Sequence, residues 1–119
     1  MATVKNLRTG LWLAQDLRVA QSLWDKAKGL LGQHGLAPGA GLYIVPCQSI
    51  HSFFMRFPFD AVFVDKSWRV LHLIEAMSPW RISPFVWRAK GVLELPAGTI
   101  GASHTQQGDT LQPSWEQGS

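Results

Sequence analysis

Cysteine is almost missing from this chain, with Cys47 the single example among 119 residues. One thiol cannot close an internal disulfide, so covalent staples take no part in folding and a reducing, cytoplasmic compartment is expected. Charge is also sparse, at 16% of residues, and the formal net charge of +3 is carried by residues scattered along the chain. That excludes a charged helical rod and a disordered acidic or basic tract, and it argues only weakly for a polyanionic partner. Long apolar runs are absent too. "MATVKNLRTGLWLAQDL" has no continuous apolar stretch of signal-peptide length, and no segment approaches the length of a membrane span. The four histidines, His34, His51, His72 and His104, form no His-x-x-x-His pair, and no Cys-x-x-Cys exists. A metal site would have to assemble from distant segments, so neither a metal nor a cofactor is expected.

What the chain does have is apolar bulk, 46% of residues, enough for one hydrophobic core over residues 1–112, with residues 113–119 expected to form a flexible tail. Glycine and proline interrupt it often, which leaves short segments and favours strands. Segments rich in β-branched and aromatic residues predict strands at about Thr3–Leu7, Leu11–Leu13, Leu42–Val45, His51–Met55, Ala61–Val64, Arg69–Glu75 and Val92–Leu95. Gly108 and Asp109 predict a turn into a last short strand. In "DAVFVDKSWRVLHLIEAM", residues Asp65 to Trp68 supply a hairpin turn. One amphipathic helix is expected over Ser22–Leu31, where Leu23, Ala27, Leu30 and Leu31 recur at helical spacing behind a Ser22 cap. The predicted class is mainly β, a compact β-sandwich or small barrel with one short amphipathic helix.

Five motifs in order carry a family resemblance: "KAKGLLG" at 26–32, "GAGLYIVP" at 39–46, "FFMRFPFD" at 53–60 leading into "AVFVD", "VLELPAG" at 92–98, and Gly108-Asp109. Together they span roughly Leu17 to Leu111, and the chain resembles the UPF0127 family, also called domain of unknown function 192. Phe54 stands where many members carry Trp, and Leu31 where they carry Met. The resemblance implies a small β-sandwich or barrel with a helix, and it implies no activity.

Several residues are candidates for chemistry. Cys47 and His51 lie four apart, which places them on one face of an extended strand, and His51 could lower the thiol's pKa while Asp60 orients the imidazole. The plainer reading makes Cys47 a small buried hydrophobe and His51 a hydrogen-bonded strand residue. Arg56, Asp60, Glu94 and Asp109 are charges set among apolar strand residues. Such charges must be paired, bonded to backbone or directed into a cleft. Arg56 is close enough in sequence to pair with Asp60, or to act as an anion-recognising fork beside Asp60 and Glu94 as acid or base. "SPWRISPFVWRAKG" at 78–91 interleaves Trp80, Phe85 and Trp87 with Arg81, Arg88 and Lys90. Exposed, it suits bases, sugars or a protein partner; buried, its tryptophans are lids over a sheet edge. A membrane-surface role would need a longer amphipathic face and more charge than this segment has.

The expected function is a non-enzymatic module binding a small molecule or a protein partner through Arg56, Asp60, Glu94, Trp80, Trp87 and His51. The alternatives are a hydrolase-like enzyme using Cys47 and His51 or the Asp60 and Glu94 carboxylates, and a weak nucleic-acid-binding module.

Overall fold

In the computed structural model, residues 2–20, 36–52 and 56–115 are described. The helix expected at Ser22–Leu31, and Phe53, Phe54 and Met55, lie outside the described residues. Seven strands follow in chain order: β1 (Ala2–Asn6), β2 (Trp12–Ala20), β3 (Ala40–Ile44), β4 (Phe59–Val64), β5 (Val70–Met77), β6 (Gly91–Pro96) and β7 (Leu111–Trp115). A short helix, α1 (Thr99–Ser103), sits between β6 and β7. The strands form a single sheet in the order β5-β4-β6-β3-β2-β1-β7.

All pairings are antiparallel except β2 with β3, which run parallel with Asp16 opposite Ala40 and Ala20 opposite Ile44. A parallel pair needs a long crossover, which here is the chain between Ala20 and Ala40. The sheet curls into a half-barrel, and its two outer strands meet at one end through the Arg69–Thr110 bridge and the Leu111 N–H to Trp68 carbonyl bond of 2.9 Å.

Curling explains the sequence pattern. One apolar cluster fills the concave side and draws on every strand plus α1, with Val4, Leu17, Tyr43, Val62, Val70, Leu93, Ile100 and Leu111 among its members. A second cluster covers the other face of β3, β4 and β6 with Ile44, Phe59, Phe63, Met77 and Val92, under Cys47, Ile50 and Phe57 from the adjoining loops. β4 is buried throughout and β6 almost so. "FDAVFV" and "GVLEL" therefore read as nearly unbroken apolar runs, because both faces of these strands need apolar side chains.

Gly91 begins β6 where the backbone passes under an aromatic ring. A Cβ built there would lie 2.5 Å from Tyr43 Cε1 and 2.7 Å from the Ile44 carbonyl oxygen. Tyr43 in turn packs on Trp68 with ring centroids 4.6 Å apart, and its burial raises the phenol's pKa above the usual 10.

The predicted β4–β5 hairpin is present. Asp65 Oδ1 accepts the N–H groups of Ser67 at 2.8 Å and Arg69 at 3.0 Å, the local Asx geometry that favours aspartate at a turn start. Differences from expectation have local causes. β2 continues seven residues past the predicted Leu13 limit to Ala20. His51–Met55 is not a strand over its described part, where His51 makes an isolated bridge to Ile82. β7 runs through Pro113 to Trp115, paired with β1; proline is accommodated because β7 is an outer strand and needs no N–H on its open side.

The Gly108-Asp109 turn is locked to β1. Asp109 accepts Arg8 Nε at 2.7 Å, Arg8 Nη2 at 3.0 Å, Asn6 Nδ2 at 2.9 Å and the Gln106 N–H at 2.8 Å. Asn6 is fully buried and also donates to Thr105 Oγ1. The Arg8 hydrogen bond is the main reason the Asp109 carboxyl falls from its ordinary 3.8 to about 2. A carboxylate with a depressed folded pKa stabilises the fold above its unfolded pKa, and the benefit is lost as pH falls through the folded value. Stability should thus drop between about pH 4 and about pH 2 by on the order of 1–2 kcal/mol from this group, Arg8 being half exposed and screened. Asp109→Asn should flatten that acid limb in urea titrations, and an unchanged pH profile would contradict the assignment.

Candidate functional site

Asp60 and Glu94 occupy adjacent strands, yet the pleat sends them to opposite faces of the sheet. Asp60 pairs in register with Leu95 and shares its concave side; Glu94 pairs with Ala61 and Leu42, which belong to the other cluster. Both carboxylates are buried, at 0% and 3% exposure. Asp60 Oδ1 accepts the Ala76 N–H at 2.8 Å, and Oδ2 accepts the Ile100 N–H at 2.8 Å. The first bond has a clear cause. Between Phe59 and Ala61 the β4–β5 register slips by one residue, and at this bulge Ala76 adopts a left-handed φ of 49°. A bulge frees a backbone N–H that needs another acceptor. Asp60 supplies it, and its second oxygen ties down the first turn of α1. Asp60 is thus a structural clamp, and its oxygens are engaged by backbone; Arg56, exposed at the surface, is not its ion-pair partner.

Cys47 is buried, and its thiol donates to the Ser49 carbonyl at 3.1 Å. His51, four residues on, is exposed. The extended geometry that would align them is broken by the intervening loop, so one side chain points into the apolar cluster and the other to solvent. Among the described residues no group of three His, Cys, Asp or Glu side chains is arranged to hold a metal ion. Two open depressions, of about 430 and 310 Å³, are lined by residues around α1 and by the start of β2. None of Arg56, Asp60, Glu94, Trp80, Trp87 and His51 lines either.

The segment from Ser78 to Lys90 is built differently. It runs antiparallel to residues 47–52 and is bound to them along its length. Trp80 N–H donates to the Ser52 carbonyl at 3.0 Å, Ser52 N–H to Arg81 at 2.9 Å, Ser83 N–H to Ile50 at 2.9 Å, Val86 N–H to Gln48 at 2.8 Å, and Cys47 N–H to Lys90 at 3.0 Å. Side chains reinforce the ladder. The buried Ser52 hydroxyl donates to the Ser78 carbonyl at 2.6 Å and accepts the Arg81 N–H at 2.8 Å, and Ser83 Oγ accepts the Ile50 N–H at 2.9 Å. Ser83 and Ala89 point inward, and Val86 packs against the cluster.

The large side chains point outward. Trp80, Ile82, Phe85 and Trp87 are 61%, 67%, 68% and 74% exposed. The tryptophans are not lids over the sheet edge, because the inward positions of this ladder are taken by smaller residues. Arg81, Arg88 and Lys90 are exposed beside them, and Arg56 is exposed as well. No acid lies between Ser78 and Lys90. Since Asp60, Glu94 and Asp109 are buried, the charge that the chain exposes is more basic than its composition suggests. Phe85 belongs to the exposed set with the tryptophans, and so does Ile82, which sequence reasoning did not select. The signal for Ile82 is its place between Pro79 and Pro84, in a segment unable to join a central ladder.

The comparisons with known proteins agree with the geometry. The profile of DUF192, described as "Uncharacterized ACR, COG1430", matches residues 4–113. A UPF0127 protein of Pyrococcus horikoshii is 30% identical over 102 residues, covering 82% of this chain and 86% of its own. A UPF0127 protein of Thermococcus sibiricus is 31% identical over 108 residues, covering 84% of this chain and 66% of its own. Among solved structures, a Novosphingobium aromaticivorans protein of unknown function is similar with a TM-score of 0.74 at 20% identity, over 93% of this chain and 82% of that one. A Sinorhizobium meliloti protein named as a candidate transcription regulator is similar with a TM-score of 0.76 at 20% identity, over 94% and 91%. These likenesses at 20% identity concern the fold. With the matched profile covering β1 to β7 and both archaeal relatives aligned over most of its length, the chain belongs to the DUF192 (UPF0127) family.

Proposed function

We propose that this protein is a non-enzymatic binding module whose contact surface is the segment from Trp80 to Lys90. The observation that carries this reading is the exposure of four large apolar side chains, each above 60%, on a backbone held by hydrogen bonds at both ends and between. Exposed apolar surface of this density is unfavourable in water, and in soluble domains it marks contact sites. A tethered frame also lowers the entropy lost on binding, because the loop is ordered before a partner arrives. Tryptophan and arginine are the residues that most often dominate binding energy. The carboxylates support a binding role over catalysis, since Asp60 is committed to backbone and Glu94 lies on the other face.

The test is titration of the full chain with anionic vesicles, a single-stranded oligonucleotide and an acidic peptide. At least one probe should bind, and Trp80→Ser combined with Trp87→Ser should weaken it about ten-fold or more. Binding that ignores both substitutions, or no binding to any probe, would sink the reading.

A further inference from the structure

We infer that the Trp80–Lys90 surface seats on the headgroup region of an anionic lipid bilayer, with Trp80, Ile82, Phe85 and Trp87 entering the interface and Arg81, Arg88 and Lys90 meeting lipid phosphates. This rests on the binding-module reading above. Three observations select a bilayer among anionic partners. The first is shape: side chains 61–74% exposed stand off the surface. A nucleic-acid strand or peptide is held by a groove that half-buries its lining, whereas a bilayer receives a protruding edge.

The second is composition. Base stacking needs flat rings, and Ile82 offers none, while tryptophan, phenylalanine and isoleucine together suit the boundary between headgroups and acyl chains. The third is charge. Three cations, Arg81, Arg88 and Lys90, and no acid stand among the apolar residues of this segment, complementary to phosphatidylglycerol or phosphatidylserine. The loop alone carries too little charge and is too short to act as an amphipathic helix would. Here the ladder to residues 47–52 supplies the fixed orientation that a helix backbone would provide. Among the described residues no helix is long and apolar enough to cross a membrane, and the contact inferred here is peripheral.

The experiment is cosedimentation of the full chain with vesicles of phosphatidylcholine alone and of phosphatidylcholine mixed with phosphatidylglycerol. Binding is expected on the mixed vesicles and is expected to weaken as salt rises. Trp87→Ser or Phe85→Ser should lower partitioning about ten-fold, and Arg88→Gln or Lys90→Gln about five-fold each. Trp12→Ser and Lys66→Gln, exposed changes outside this surface, should leave it unaltered. Equal binding by loop and control variants, or equal binding to neutral vesicles, overturns the inference. If the chain ignores vesicles but binds the oligonucleotide or the acidic peptide through Trp80 and Trp87, the lipid assignment falls and the binding-module reading stands. Indifference to all three overturns both.

Discussion

Asp60→Ala is expected to destabilise the fold by about 3–5 kcal/mol, lowering the melting temperature by roughly 10–20 °C for a domain of this size. The side chain is fully buried, and each oxygen accepts one backbone N–H at 2.8 Å. Removing it leaves the buried Ile100 N–H and the part-buried Ala76 N–H without their acceptor, costing about 1–3 kcal/mol for the first and less for the second, along with a small void. The two donors sit on separate elements, the β5 bulge at Ala76 and the first turn of α1 at Ile100, so both should loosen together. Asp60→Asn should be milder, about 2 kcal/mol, because an amide still accepts one bond while its NH2 faces the other donor. Urea unfolding of the two variants measures this directly. Equal, near-wild-type midpoints would mean that the carboxylate is kept for something other than the clamp.

Gly91→Ala should be comparably severe, on the order of 3 kcal/mol or more, and is expected to reduce soluble yield. The added methyl would sit 2.5 Å from Tyr43 Cε1, 2.6 Å from Tyr43 Cζ and 2.7 Å from the Ile44 carbonyl oxygen. The ring could tilt, but it is held against Trp68, and the carbonyl belongs to the β3 backbone and has less freedom still. A double variant, Gly91→Ala with Tyr43→Ala, should cost less than the sum of its parts, because removing the ring relieves two of the three contacts. Strict additivity in thermal melts would show that Tyr43 does not restrict this position.

These two positions show how far the sequence could be read. β4 and β6 were legible because they are buried on both faces, and a run such as "AVFVD" leaves little choice of structure. β2 was cut short because Leu13 and Ala14 both enter the concave cluster at a shift in the β1–β2 register, which breaks the alternation used to recognise strands. α1, with five residues, is too short to show helical periodicity. Asp60 was legible as a buried charge in need of partners. The partners are backbone groups 16 and 40 residues away, and no local pattern reveals them. The same holds for Arg8 and Asn6, whose acceptor lies on the far side of the sequence. Trp80 and Trp87 were recognised as belonging to a distinctive loop, but their direction was not. Which side of a loop faces water depends on the ladder to residues 47–52, which pairs segments some thirty residues apart.

The Asn6–Asp109 bond joins residues 103 positions apart, and β1 lies between β2 and β7. On the ribosome, β1 could pair with β2 soon after both emerge, yet its other edge and the buried Asn6 amide would wait for almost the whole domain to be made. Contacts of such high sequence separation slow folding. Translation pauses or chaperones acting late in synthesis would therefore govern the yield of this protein more than those acting on its first strands.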